Sequence, residues 1–520
     1  MSDGPPIIED SAFGRLVDVR AHALLGVTGR LCADEPGEVD ATLAALTQPV
    51  LAVVIAQATQ LEELLDAYGA QRNERWRPFR GVVAALKLFA HAHDGLLHLA
   101  RALPQYRLRS IEGDLSAGLL QARRFTAHVL ATASRRLVGA AGSLGLTVWM
   151  ADVVGEELLP PGRLPQDCAL RHVDDVAGTV ARLATAFLNL VEEATALAAC
   201  SRAGGRPLAA LPGENELRRL GEDFHNLQAL YDTHVAHTDA ERADPELVSL
   251  RGHASVVYHL LELATDLTHY LERHVVHAAA PATGQGRLLF AHAPDCIAPE
   301  RLEVVLRECG LAFAARYVEA GRTLAQELLR RYAEQGEVSV PVPRYRGFHV
   351  RPSTLVARVT YHYGSPVSMT LDDETYDAAS PLDLFRANEL INAKKRRWLA
   401  TEIGRLVDGA EERLGDDLAR AVRSVLLRLA EEAKVIFYEQ PLPPVEGQPG
   451  EGQPVLSFIA EAIARFQALG KIDIVTTLTA TFRGDRRVLA DLALLAESGY
   501  GEDAYGNNVA LPAALSYLRR

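Results

Sequence analysis

The spacing of the apolar residues changes near residue 335, and this change divides the chain into two kinds of structure. Residues 11–333 carry an almost entirely helical pattern, in which amphipathic segments rich in Ala, Leu, Arg and Glu alternate with Pro- and Gly-containing breaks. Leu260 and Ala264, for example, belong to one broad apolar stripe. The pattern predicts a large all-helical domain, a bundle or array, over residues 8–335.

The next segment has the alternation of a strand and then the spacing of a helix. Gly336–Val342 places a valine at every second position, as in a half-buried strand. Pro352 fits the first position of a helix, where its missing N–H costs nothing. Apolar residues then recur at helical spacing, at Leu355, Val356 and Val359. The residues GFHVRPS, 347–353, therefore lie between a predicted strand and a predicted helix.

His349 and Arg351 fall at the start of this helix, where free backbone N–H groups and the helix dipole favour an anion. An imidazole nitrogen is a competent nucleophile near neutral pH. A guanidinium holds phosphate oxygens by two hydrogen bonds at once. The pattern predicts a phosphoryl site. Arg346 would add a second positive charge there; simple exposure of its side chain is the alternative.

The segment resembles the active-site turn of HPr, the histidine-containing phosphocarrier family of the phosphoenolpyruvate-dependent phosphotransferase system. In that family a glycine, an apolar residue, the phosphorylated histidine, a variable residue and Arg-Pro follow in order, here Gly347, Phe348, His349, Val350, Arg351 and Pro352. The family's usual leucine and alanine are replaced by Phe348 and Ser353, which do not touch the chemistry. The resemblance implies that His349 carries the phosphoryl group, that Arg351 neutralises charge, and that backbone amides near Val350 and Arg351 bind oxygens.

Later segments extend the resemblance to the fold. Residues 365–371 and 375–378, separated by Asp372-Asp373, are typical of a hairpin. The β-branched residues 472–482, the turn Gly484-Asp485 and a helical stripe after it resemble the closing strand and helix of HPr. The resemblance implies an open-faced sandwich, a four-stranded antiparallel sheet with helices on one face.

The fold class predicted for the whole chain is therefore mainly α and multidomain, with an HPr-like α/β domain after the helical one. The HPr-like domain is predicted to be interrupted, with its first part at residues 336–393 and its closing strand and helix at 470–508. A helical insertion occupies 394–469, and its residues 439–454 have the Pro, Gly, Glu and Gln composition of a flexible linker. Residues 509–520 form a C-terminal tail.

Ser380 begins the second helix of the HPr-like segment. With Pro381 at the first helical position and Asp383 at the third, it has the signature of an N-cap. In the resembling family a serine at this place is phosphorylated by a dedicated kinase in some bacteria. Because Pro381 replaces an apolar side chain that the kinase contacts, we favour capping; a regulatory phosphosite and a serine kinase as partner stay open.

The run Lys394–Arg397 invites interpretation as a patch for nucleic acid or for an acidic partner. We favour a solvated helix face, because an amphipathic helix continues through Leu399, Ile403 and Leu406. The formal net charge of −13 also argues against nucleic acid or an anionic membrane as the main partner.

Metal, cofactor and secretory signatures are not found in the sequence. The histidine pairs of the helical half lack HExxH and a repeated Glu-x-x-His, so packing is favoured over a metal site. Neither GxGxxG after a strand nor GxxxxGK[ST] occurs, so no cofactor is expected. The five cysteines are scattered without CxxC spacing, and no apolar run has transmembrane length. We expect a cytoplasmic protein.

The sequence leaves two functions of different classes open. In the first, His349 accepts a phosphoryl group from the general first enzyme of the phosphotransferase system, a phosphohistidine donor, and passes it to a protein acceptor. The helical half would then choose partners or regulate the transfer, and the protein is a phosphoryl carrier rather than a turnover enzyme. In the second, the chain is a scaffold or regulatory protein that uses the HPr-like fold only for docking.

Overall fold

The computed structural model describes residues 7–32, 39–148, 169–194, 197, 211–276, 297–407, 418–438, 441–446 and 453–518. Of the predicted linker at 439–454, residues 439–440 and 447–452 lie outside this set, as do the last two residues of the predicted tail. The chain divides into two compact units, Met1–Ala325 and Gln326–Arg520. Each unit is described by itself.

The regular elements of the first unit are all helices among its described residues, which confirms the helical character predicted for this half. Its helices are α1 Asp10–Leu31, α2 Val39–Ala45, α3 Gln48–Ala67, α4 Arg77–Ala102, α5 Leu115–Leu144, α6 Val176–Glu193, α7 Glu214–His234, α8 Asp239–Ala243, α9 Pro245–Tyr270 and α10 Pro299–Val305. A π-helical turn, Leu306–Leu311, follows α10 and leads into α11, Ala312–Arg331, which continues into the second unit.

Helix α9 forms much of the core of the first unit. It begins at Pro245, and the Asp244 side chain caps it by accepting a hydrogen bond from the Glu246 N–H at 3.1 Å. Its apolar stripe is fully buried and packs against α4 and α7. The buried stripe includes the Leu260 and Ala264 side chains named from the sequence, so tertiary packing stabilises this helix.

The second unit combines strands and helices. Its elements are β1 Gln335–Pro341, α12 Val350–Tyr363, β2 Ser368–Leu371, β3 Glu374–Asp377, α13 Pro381–Val407, α14 Leu418–Glu431, β4 Val435–Phe437, α15 Val455–Ala468, β5 Ile472–Ile474, β6 Thr479–Asp485 and α16 Arg486–Glu497, with short 3₁₀ turns at Gly499–Gly501 and Ala513–Leu518. Strands β1, β6, β2 and β3 form, in that order, a four-stranded antiparallel sheet.

The sheet has one buried face and one polar face. Phe482 of β6 is opposite Val338 of β1 and Met369 of β2, and both Phe482 and Met369 are fully buried. On the alternate positions, the Ser339 and Thr481 hydroxyls hydrogen-bond to each other at 2.8 Å. This alternation is the period-two pattern of a half-buried sheet, so the predicted strand near 336–342 and the predicted hairpin are confirmed.

The predicted closing strand, residues 472–482, is wrong as a single element. Ile472–Ile474 forms β5, which pairs with β4 in a separate two-stranded sheet, and only Thr479–Asp485 joins the main sheet as β6. The residues Gly484-Asp485, predicted as a turn, end β6, where Gly484 pairs with Gly336. The break is invisible in the composition because both pieces have β-forming residues and both contribute buried side chains.

Residues 394–474, as far as they are described, form what we call the inserted module. Helix α13 runs unbroken from Pro381 to Val407. Its first half lies beside the main sheet, and its second half, from residue 394, belongs to this module. The module has its own apolar core and contains the strands β4 and β5 besides its helices. Its fully buried members include Val422, Ile459 and Ile463.

Candidate functional site

His349 occupies the N-cap position of helix α12, with extended backbone angles of φ −80° and ψ −168°. The first backbone hydrogen bond of the helix runs from the Ser353 N–H to the His349 carbonyl at 3.1 Å. The N–H groups of Val350 and Arg351 precede that bond and have no acceptor within the helix. Pro352 is the third helical residue, not the first as predicted, and has no N–H to offer.

The turn before His349 is held in an uncommon backbone conformation. Arg346 and Gly347 both have positive φ, 53° and 63°. A Cβ atom at Gly347 would lie 2.1 Å from Asn388 Oδ1, so the position requires glycine for space as well as for φ. Arg346 tolerates its conformation because its N–H donates to Asp473 Oδ2 and its carbonyl accepts from Asn388 Nδ2, each at 3.1 Å.

Phe348 anchors the turn to the interior. Its side chain is fully buried, and its ring meets Tyr500 edge-on at a centroid distance of 5.8 Å. The Ser353 hydroxyl donates to the Phe348 carbonyl at 2.9 Å. Ser353, a departure from the resembling family's pattern, therefore stabilises the turn from inside the helix.

The His349 ring lies between two oxygen acceptors and remains about one quarter exposed, with 24% of its side chain accessible. Nδ1 is 3.1 Å from the Gly347 carbonyl oxygen. A carbonyl only accepts, so this contact is a hydrogen bond when Nδ1 carries a proton. Nε2 is 3.2 Å from Glu502 Oε2, a contact without hydrogen-bond alignment. The Tyr345 ring meets the imidazole edge-on at 5.3 Å.

Glu502 is the functional candidate that the sequence did not identify. Its carboxylate is buried, with 7% of the side chain accessible, and Oε1 lies 3.8 Å from Arg351 Nη1. Arg351 also contacts the Asn508 side-chain oxygen and, at 3.5 Å, the Gly501 carbonyl. One carboxylate thus faces both predicted catalytic side chains, His349 and Arg351. The sequence signal for this region was the turn-rich composition of residues 499–508. Such a composition predicts a turn but not the side chains that the turn contacts.

The loop that brings Glu502 to the site has its own internal supports. Gly499, Tyr500 and Gly501 all have positive φ, a tight reversal after α16. Tyr500 is buried, its hydroxyl donates to the Pro341 carbonyl at 2.9 Å, and burial raises the pKa of this phenol. The Val509 N–H returns to the Gly501 carbonyl at 3.0 Å and closes the loop.

Arg346, predicted to bind phosphate, directs its guanidinium toward the inserted module. Its Nη2 donates to the Gly470 carbonyl at 3.0 Å, and the guanidinium lies over the rings of Tyr345 and Tyr438, at 5.2 and 5.9 Å from their centroids. Arg346 is nevertheless exposed, in keeping with the alternative interpretation. The structure gives no contact between its guanidinium and His349 among the residues described.

The basic run is not a uniformly solvated face, and the prediction is wrong for Lys395. Its ammonium is buried, with 2% of the side chain accessible, and donates to both oxygens of the buried Asp473 at 2.8 and 2.9 Å. Lys394 pairs with Asp372 at the hairpin. Only Arg396 and Arg397 of the run are exposed. The error arose because the burial of Lys395 depends on Asp473 of β5, and helical spacing does not predict where that strand lies.

Ser380 caps helix α13. Its hydroxyl oxygen accepts a hydrogen bond from the Asp383 N–H at 3.2 Å, and its carbonyl accepts from the Leu384 N–H, also at 3.2 Å. This is the geometry expected of an N-cap serine. It does not bear on a regulatory phosphosite.

Three histidines of the helical half have local partners. His253 is buried, its Nδ1 lies 2.7 Å from the Ser249 carbonyl, and burial lowers its pKa. His259 pairs with Glu262 at 3.0 Å and His269 with Glu214 at 2.9 Å. Within the described ranges, no group of three His, Cys, Asp or Glu side chains could hold a metal ion.

The helices of the described part of the chain are too short or too polar to cross a membrane singly. One sharply bent pair, α2 with α3, has the length and apolar composition of a broken span when its two helices are taken together.

No family model matches the chain, and comparisons with curated proteins and with solved structures return no match either. Any function assigned to this protein therefore depends on the chemistry of the site around His349.

Proposed function

We propose that this protein is an HPr-like phosphocarrier in which His349 accepts a phosphoryl group from a phosphohistidine donor and passes it to a protein acceptor. The observation that carries the proposal is the position of His349. It is the N-cap of α12, partly exposed, with free N–H groups after it and with Glu502 and Arg351 beside it. A nucleophile and the groups that hold a phosphoryl oxygen are thereby within one helical turn.

The surrounding fold supports an HPr-like open-faced sandwich as the finer description of this unit. The succession β1, α12, β2, β3, α13, then β6 and α16 after the inserted module, is the succession that the resemblance implies. The main sheet is four-stranded and antiparallel, with one apolar and one polar face. Helix α16 packs against β1 and β6, and α13 packs against β3.

In the transfer step, the His349 Nδ1 lone pair attacks phosphorus as the bond from phosphorus to the donor's imidazole nitrogen breaks. The electron pair of the broken bond becomes the lone pair of the donor nitrogen, and the positive charge passes from the donor ring, which is protonated at its second nitrogen, to the His349 ring. For this attack Nδ1 must be unprotonated and turned away from the Gly347 carbonyl, with the ring proton on Nε2, the nitrogen beside Glu502. The protein supplies positioning and charge rather than covalent help.

Arg351 and the first amides of α12 would hold the arriving phosphoryl oxygens. The guanidinium is 40% accessible, and its closest oxygens belong to a loop, so it can exchange them for phosphoryl oxygens. The N–H groups of Val350 and Arg351 point out of the helix start, where developing negative charge is favoured. Glu502 would hold the imidazole by its second nitrogen, as a positioning residue.

The first test is phosphoryl labelling of the full chain with phosphoenolpyruvate and the general first enzyme of the phosphotransferase system from the same organism. We expect acid-labile, base-stable label in the wild type and none in His349→Ala. The matched control is His234→Ala, which removes an exposed helical histidine and should label like the wild type. Absence of label in a folded wild type would contradict the carrier proposal and favour the scaffold alternative. Label that survives in His349→Ala would place the phosphoryl group elsewhere.

A further inference from the structure

A pocket lies on the side of the His349 turn that faces the inserted module. Its volume is about 280 Å³, and its lining comes from the turn, from helix α13 and from residues 467–473 of the module. This volume is at the small end of the range for pockets that bind small molecules. A compact ligand, or one side chain of a partner macromolecule, would fill it. His349 itself is part of the lining.

The pocket favours an anion. Two guanidinium groups line it, those of Arg346 and Arg396. The one carboxylate among its lining residues, Asp473, is already neutralised by the buried Lys395 ammonium. Arg396 makes no hydrogen bond or ion pair with any residue in the described part of the chain. Arg346 uses Nη2 for the Gly470 carbonyl and has further N–H donors available.

The pocket also has hydrogen-bond acceptors without donors. Asn388 Oδ1 and Gln467 Oε1 are buried atoms with no hydrogen-bond partner among the described residues, and both residues line the pocket. The orientation of the Asn388 amide follows from its Nδ2, which donates to the Arg346 carbonyl. Buried acceptors of this kind are normally paired. Asn388 Oδ1 faces Gly347, so the Gln467 amide is the one of the two that a hydroxyl group of a ligand would pair.

We propose that this pocket binds a small phosphate ester that also carries hydroxyl groups, a compound of the sugar-phosphate class. The two arginines hold the phosphate, and the Gln467 side-chain amide, which lines the pocket, accepts a hydrogen bond from a hydroxyl. The inserted module thereby adds a small-molecule site next to His349. Such a ligand has direct access to the imidazole that the proposed carrier uses.

Calorimetric titration of the full chain tests this at constant ionic strength, with glucose 6-phosphate, glycerol 3-phosphate, inorganic phosphate and glucose as probes. We expect saturable binding of at least one ester, at least tenfold tighter than inorganic phosphate, and no binding of glucose. No saturable binding of either ester at millimolar concentration would overturn the proposal. The assay contains no phosphoryl donor, so its result is independent of whether His349 is phosphorylated.

A matched pair of variants locates the binding. Arg396→Gln should weaken ester binding at least tenfold, whereas Arg397→Gln, which changes the next arginine of the run but not the pocket lining, should leave it within twofold. Gln467→Leu should weaken the esters but not inorganic phosphate. Equal losses in the two arginine variants would indicate general charge attraction and would contradict the proposal. Thermal unfolding of each variant shows whether it remains folded.

Discussion

Two buried carboxylates contact the His349 turn, and they are paired very differently. Asp473 accepts two hydrogen bonds from Lys395 and one each from the Arg346 and Ile474 N–H groups, at 2.7 to 3.1 Å. Glu502 lies 3.2 Å from His349 Nε2 and 3.8 Å from Arg351, and its Oε2 has no aligned donor among the described residues. Both carboxylates are removed from water, but only Asp473 has its lone pairs satisfied.

The contrast indicates that the Asp473 contacts are structural and that the Glu502 contacts are open to exchange. A buried charge is tolerated when hydrogen bonds and a countercharge replace water, as they do at Asp473. A buried carboxylate that is only loosely paired leaves the neighbouring side chains free to rearrange. The Asp473 side therefore holds the turn to the inserted module, and the Glu502 side holds the proposed catalytic groups in exchangeable contacts.

The largest expected effect comes from Asp473→Asn. The substitution leaves the Lys395 ammonium buried without a countercharge, and we expect a loss of about 3–5 kcal/mol in the stability of the inserted module. Hydrogen exchange of the β5 and α13 amides in the full chain measures it. Adding Lys395→Met to Asp473→Asn removes the orphaned charge and should recover part of the loss. Unchanged hydrogen-exchange protection in Asp473→Asn would contradict the proposed difference in pairing between Asp473 and Glu502.

An intermediate effect is expected from Gly347→Ala, because the new Cβ would collide with Asn388 Oδ1 and the residue would retain positive φ. We expect a loss of about 2 kcal/mol, together with slower labelling of His349. The control is Gly404→Ala, inside α13, where a Cβ meets nothing within 4 Å and should stabilise by about 0.5–1 kcal/mol. Thermal unfolding followed at the second unit compares them, and equal shifts in both variants would contradict the proposed strain.

The smallest effect on stability is expected from Glu502→Gln, which keeps the shape and removes the charge. Because the contacts of Glu502 are loose, we expect a change below about 1 kcal/mol in stability, with a several-fold change in the rate and pH profile of His349 labelling. Glu497→Gln, an exposed position at the end of α16, is the control and should change neither. A stability loss as large as that of Asp473→Asn, with labelling unaltered, would remove the functional distinction between the two carboxylates.

Local elements were predictable because their causes are local. Alternating valines before residue 343 predicted β1, the Asp372-Asp373 pair predicted the hairpin, and Ser380 was recognised as a cap from the residue types that follow it. The helix start after His349 was correct within two residues, since Pro352 is its third residue. Each of these depends on backbone preferences and hydrogen bonds within a few positions.

Longer-range features were not predictable in the same way. Residues 472–482 are rich in β-forming residues throughout, but they contribute to two strands, β5 and β6, in different sheets. The division between the sheets is set by strand pairing. Lys395 has the sequence context of a solvated helix face, and its burial depends on Asp473, which belongs to a strand of the inserted module. Glu502 lies in a turn with no distinctive pattern, yet its carboxylate faces both predicted catalytic side chains.

Periodicity and residue type act over short distances, and they were enough to predict that a helical half precedes an α/β half and that His349 and Arg351 start a helix. The surroundings of that helix start depend on tertiary packing. A carboxylate from a late loop, an ion pair from the inserted module and an arginine-lined pocket meet there, since packing brings together residues whose separation along the chain carries no information about distance in space.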